Sequence, residues 1–252
     1  MPLWQNTGEG WRPTPSLRNS LNNLDVYFCG CGPSLKNVKN SDIRGAGTFV
    51  AGVNNSYPHI TPDIWFGMDD PSCYSRQVFW EPFVKVLRGG YQNRKCEGRD
   101  ISKNYNLYYA DALKLKDQED MFRYLNDETK FIWKKNVMAT SLHVLFWMGA
   151  KRIYLLGCDF STGESDYHHG KDKLSEGNRK WNQSLYNQVV DWFKVLTPMA
   201  KKYGIEMISS TSGSRINEFM EYVSVEEAVK KSRKNIPWGG KLFHCREIDK
   251  EK

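Results

Sequence analysis

Four polar clusters in this chain stand directly after apolar runs, and each carries groups suited to handling a charged ligand. Gly30-Cys31-Gly32-Pro33-Ser34 follows the run at residues 24–28. Asn54-Asn55-Ser56 follows Thr48–Val53, Asp69-Asp70-Pro71-Ser72 follows residues 64–68, and Asp159 opens a polar stretch reaching His168 and His169. A glycine turn between a strand and a helix lets backbone approach a ligand closely, and the free N–H groups of a helix start favour phosphate. Imidazole exchanges protons near neutral pH, which makes His168 and His169 candidates for acid–base work. Paired carboxylates such as Asp69 and Asp70 suit a divalent cation held against a pyrophosphate. Taken singly, each Asn and Asp also reads as a turn or cap residue. Their common position after apolar runs is the informative part.

Those positions require a particular scaffold. The runs at residues 24–28, 48–53, 64–68 and 152–157 read as strands, with weaker candidates at 107–109 and 205–208. The run at 152–157 is continuously apolar after its first residue, as in a parallel strand covered on both faces. Residues 137–148 are apolar nearly all round and end at Gly149, which predicts a helix buried between layers. A second helix is expected over residues 181–203, bent at Pro198 and stopped by Gly204. Ser224 with Glu227 forms a capping box for a short last helix. Strands alternating with helices predict an α/β, Rossmann-like, doubly wound and mostly parallel sheet with helices on both faces, in which ligands bind beyond the carboxyl ends of the strands. The expected organisation is an extended leader at 1–23, one nucleotide-binding domain at 24–235 and a basic tail at 236–252.

Several standard chemistries are excluded. The chain has no Gly-x-x-x-x-Gly-Lys-Ser/Thr loop, no Gly-x-Ser-x-Gly elbow and no His-Glu-x-x-His motif. Leu35 stands where a dinucleotide fingerprint would place its third glycine, which disfavours hydride transfer. The six cysteines are scattered without zinc-ligand spacing. With 252 residues, 40% of them hydrophobic, the chain can bury one sizeable core, and its formal charge of +7 favours acidic partners. No stretch is long and apolar enough to cross a bilayer, so the sequence reads as a cytoplasmic protein.

The strings Gly30-Cys31-Gly32-Pro33-Ser34-Leu35, Asn54-Asn55-Ser56-Tyr57, Ala139-Thr140-Ser141 and Gly157-Cys158-Asp159-Phe160 resemble those of the bacterial sialyltransferases of the Campylobacter type. They also resemble a related domain of unknown function that includes the archaeal 6-hydroxymethylpterin pyrophosphokinase and is encoded by many phages; for a phage member, the compartment would be the host cytoplasm. The resemblance implies an inverting, metal-independent glycosyltransferase with a CMP- or UDP-linked sugar donor. Gly30, Cys31, Gly32, Pro33, Ser34, Asn54 and Asn55 would border the nucleotide, with Asp69 and Asp70 nearby. Thr140 and Ser141 would contact the donor, and Asp159, His168 and His169 would be the catalytic residues, with one of the two histidines taking the acceptor proton. The acceptor would be a glycan, a small molecule or DNA, and a homo-oligomer is compatible with the chain.

The sequence departs from this pattern at Cys31, where the sialyltransferases carry asparagine, and at Leu142, where they carry glycine. Its histidines also follow Asp159 more closely. The alternative is a Mg²⁺-dependent pyrophosphoryl or nucleotidyl transferase with Asp69, Asp70 and Asp159 on the metal. A third possibility is a non-catalytic nucleotide or nucleic-acid binding module.

Overall fold

The apolar runs assemble into one nine-stranded sheet. The computed structural model describes residues 3–6, 10–14, 16–22, 24–45, 47–102, 104, 106–114, 131–133, 136–162, 167 and 175–232. The strands are β1 (Leu3–Asn6), β2 (Trp11–Pro13), β3 (Asp25–Cys29), β4 (Thr48–Val53), β5 (Ile64–Gly67), β6 (Val84–Arg88), β7 (Lys95–Cys96), β8 (Arg99–Asp100), β9 (Leu107–Ala110), β10 (Ala112–Lys114), β11 (Phe131–Trp133), β12 (Arg152–Leu156) and β13 (Glu206–Ser209). The main sheet has the order β13-β12-β3-β4-β5-β6-β9-β1-β2. From β13 to β9 every neighbouring pair is parallel. β1 and β2 close one edge in antiparallel register. Strand order runs outward from β3 through β4, β5 and β6 on one side and through β12 and β13 on the other, so direction reverses at the β3–β12 pair.

Both faces of the sheet are covered, and β3 shows why its sequence is apolar from Val26 onward. Successive strand side chains point to opposite faces. Val26 and Phe28 pack in one cluster with Leu142, Trp192 and Phe193, whereas Tyr27 and Cys29 pack in another with Leu35, Ile43 and Ala228. Among the described residues five helices supply the cover: α1 (Asn40–Ile43), α2 (Gln77–Trp80), α3 (Val137–Trp147), α4 (Glu176–Lys202) and α5 (Val225–Lys231). α3 is buried from Met138 to Trp147, as its uniformly apolar sequence requires. α4 buries one stripe, Val189, Val190, Trp192, Phe193, Leu196 and Ala200, and continues through Pro198. At the end of α3, Gly149 has φ +93°, and a Cβ there would lie 2.3 Å from the Asn22 side-chain oxygen.

Three features differ from the sequence expectations. The described residues of the expected leader do more than lie over the surface: they include β1 and β2 of the sheet, and Leu3, Leu17 and Leu21 are buried in its main cluster. Strands of four and three residues among Gly and Pro are too short to show periodicity. β6, between β5 and β9, was not anticipated. α4 starts at Glu176 rather than 181, because Ser175 accepts a hydrogen bond from the Asn178 amide and caps a polar first turn. Among the described residues no helix is long and apolar enough to cross a membrane.

Candidate functional site

A cleft of about 570 Å³ opens at the carboxyl ends of the parallel strands. Each wall begins where a strand stops: Gly30 to Gly32 after β3, Val53 and Asn54 after β4, Met68 to Asp70 after β5, Arg88 at the end of β6, and Gly157 to Ser161 after β12. The start of α3 adds Asn136, Val137 and Met138, and α4 adds Asn182, Leu185, Tyr186 and Val189. Seven of the residues singled out by sequence therefore meet in one place: Gly30, Cys31, Gly32, Asn54, Asp69, Asp70 and Asp159.

The glycine loop does not have the form expected of a phosphate cradle. Instead of an α-helix, a five-residue 3-10 turn, Pro33–Asn37, follows it. Its amides are engaged within the chain. The Gly30 amide donates to the Leu156 carbonyl at 2.8 Å, and the Gly32 amide donates to the Gly157 carbonyl at 2.8 Å. Ser34 donates through its amide to Asp159 Oδ1 at 3.2 Å and through its hydroxyl to Asp159 Oδ2 at 2.8 Å. A Cβ on Gly32 would fall 2.0 Å from Asp159 Oδ2, so glycine is required there for the loops after β3 and β12 to touch. Burial raises the Asp159 carboxyl above its ordinary value, and the two Ser34 hydrogen bonds partly offset that rise. Cys31 directs its thiol to the Val53 carbonyl at 3.2 Å, and burial pushes its pKa up to about 12, so it is a protonated packing group rather than a nucleophile.

Asn54 is held more elaborately. Its backbone takes φ +45°, a region asparagine tolerates, and its carbonyl accepts from the Trp65 indole at 2.7 Å. Tyr74 donates its hydroxyl to Asn54 Oδ1 at 3.1 Å while accepting from the Asp69 amide at 3.0 Å. With its oxygen taken by Tyr74, the Asn54 carboxamide has its NH₂ group left to serve the cleft.

The two neighbouring aspartates differ in role. Asp70 accepts from the Ser72 amide at 3.0 Å and from the Ser72 hydroxyl at 2.8 Å, and Arg94 lies 3.5 Å away. The Ser72 bonds lower its pKa, and the residue serves as a cap on the turn Pro71–Cys73. Among the described residues no three His, Cys, Asp or Glu side chains converge as metal ligands, so Asp69, Asp70 and Asp159 do not form the predicted metal set.

The remaining expected residues lie elsewhere. Asn55 is exposed in the turn after β4, while Pro33 and Ser34 belong to the 3-10 turn and do not line the cleft. Thr140 and Ser141 are buried inside α3, and Ser141 returns its hydroxyl to the Val137 carbonyl at 2.8 Å. One turn earlier, Asn136, Val137 and Met138 border the cleft instead. Asn136 caps the helix by accepting from the Ala139 amide at 3.0 Å. An Asn immediately before an apolar helical run is a start signal that could have located this residue. Arg88, Tyr91 and Tyr186 carried no comparable signal. His168, His169 and the tail beyond residue 232 lie outside the described residues.

The strand order and cleft define an α/β protein with an open cleft at the carboxyl edge of a mostly parallel sheet. No family model matches the chain, and no curated protein matches it significantly. Solved structures do. The MAf glycosyltransferase from Magnetospirillum magneticum is similar over 93% of this chain at 18% identity and TM-score 0.51, and the chain spans 41% of that protein. The Campylobacter jejuni sialyltransferase CstII, solved with the substrate analogue CMP-3FNeuAc, is 16% identical with TM-score 0.47, over 80% of this chain and 87% of its own. The monofunctional α-2,3-sialyltransferase Cst-I from the same organism is 14% identical with TM-score 0.48, over 85% and 86%. The likeness to the Magnetospirillum enzyme shows a shared fold.

Proposed function

We propose that this chain is a glycosyltransferase that takes a CMP- or UDP-linked sugar as donor. The observation that carries this reading is the cleft itself, where the motif residues Gly30, Gly32, Asn54 and Asp159 are brought together at the carboxyl edge of the sheet. The shared fold with a glycosyltransferase and the resemblance of the motifs support the same reading.

The chemistry follows from the groups present. The acceptor hydroxyl oxygen attacks the anomeric carbon, the bond from that carbon to the phosphate oxygen breaks, and the nucleotide leaves with the electron pair. Charge develops on the phosphate, and the first-turn amides of α3 at Val137 and Met138, for which a helix offers no internal acceptor, stabilise it together with Arg88. The Asn54 NH₂ group orients the donor. The acceptor proton passes to His168 or His169. The acceptor is a glycan or another hydroxyl compound.

Thermal unfolding with cytidine, uridine and adenosine nucleotides tests the reading. A ligand at about 100 times its dissociation constant stabilises the fold by about 2.7 kcal/mol, so a bound pyrimidine nucleotide raises Tm measurably. No shift with cytidine or uridine nucleotides, or a shift confined to ATP with Mg²⁺, would overturn it.

A further inference from the structure

The end of the cleft formed by the glycine loop carries a carboxylate where a phosphate site would carry donors. Asp159 lies over Gly32, both oxygens are oriented by Ser34, and the Gly30 and Gly32 amides are spent on carbonyls. A phosphate placed there would meet a buried like charge with none of these three amides to offset it. Each carboxylate oxygen keeps a lone pair beyond its Ser34 contact, so what the position can accept is a pair of hydrogen-bond donors. We infer that Asp159 is a hydroxyl-reading group that accepts the vicinal 2′- and 3′-hydroxyls of the nucleotide ribose, which places the ribose over Gly30–Gly32 and the phosphate away from them.

Two further points agree. A carboxylate at a strand end is suited to bidentate recognition of a sugar diol. Asp159 is fixed by Ser34 before any ligand arrives, so little ordering cost falls on binding. This inference rests on the nucleotide-sugar reading and specifies its ligand: a ribonucleotide rather than a deoxyribonucleotide.

Calorimetric titration of the full chain with cytidine 5′-monophosphate and with its 2′,3′-dideoxy analogue separates the two ideas, with the uridine pair run alongside. Hydrogen bonds to a charged group correspond to about a 10-fold or greater preference for the ribonucleotide. Asp159→Asn should abolish most of that preference while leaving affinity for the dideoxy analogue within about 2-fold. Ser34→Ala, which frees the carboxylate without removing it, should give an intermediate preference and guards against misfolding of the first variant. Equal, tight binding of ribo- and dideoxynucleotide to the wild-type protein would overturn the role of Asp159 and leave the donor reading standing. Failure of every pyrimidine nucleotide to bind would overturn both.

Discussion

The loop after β3 and the start of α3 border the same cleft, yet they have opposite hydrogen-bond economies. In the loop, Gly30, Gly32 and Ser34 donate to Leu156, Gly157 and Asp159, so the segment is a joint between β3 and β12. At α3, Asn136 satisfies the amide of Ala139, leaving the first-turn amides of Val137 and Met138 without a helical partner. The motif with the more familiar appearance thus ties two strands together, and the proposed phosphate site lies at a plain helix start instead. Close approach of backbone to backbone and close approach of backbone to phosphate both demand glycine, and only the hydrogen-bond partners distinguish them.

This contrast predicts separable effects on rate, stability and affinity. The largest should come from the proposed base: His168→Ala/His169→Ala is expected to lower turnover by about 10²–10⁴ while nucleotide affinity and Tm stay unchanged, as single-turnover kinetics and thermal unfolding would show. Turnover equal to wild type would remove both histidines from the mechanism. Next, Gly32→Ala should cost about 1–3 kcal/mol in urea unfolding, because the new methyl group collides with Asp159. A fully stable Gly32→Ala protein with weakened nucleotide binding would instead make the loop a ligand cradle.

Asn136→Ala should cost about 1 kcal/mol of stability through loss of the cap. Nucleotide affinity should fall with it, since the helix start is loosened beside the phosphate; full affinity would break the contrast from the other side.

The smallest effect concerns pH. Burial raises the folded-state pKa of Asp159 above its ordinary value of 3.8, so the native state binds its proton more readily than the unfolded chain does. The resulting penalty is fully present above the folded pKa and is relieved as pH falls through it toward 3.8. Denaturation profiles of wild type and Asp159→Asn should therefore diverge as pH rises from about that value, with the wild type relatively less stable at the upper end. Profiles that stay parallel would show that Ser34 fully offsets the burial.

The strand ends were legible because β3, β4, β5 and β12 run apolar to their carboxyl ends and are closed by polar residues, as burial on both faces requires. The location of the cleft follows from that arrangement. Its hydrogen bonding does not: Ser34 and Asp159 are 125 positions apart, and nothing local in either segment states that they pair. The same limit applies to Tyr74, which fixes Asn54 across 20 residues. Thr140 and Ser141 were expected at the ligand because they match a motif, but helical geometry turns them into the core and presents the preceding residues, Asn136 to Met138, to the cleft. β1 and β2 were hidden by their length, since three or four residues cannot display a period.

A crystal structure of the chain with cytidine 5′-monophosphate tests the central claim most directly. The account predicts ribose hydroxyls on the Asp159 carboxylate and the phosphate near Val137 and Met138. A phosphate seated on the amides of Gly30, Gly32 and Ser34, or a nucleotide bound outside this cleft, would contradict it.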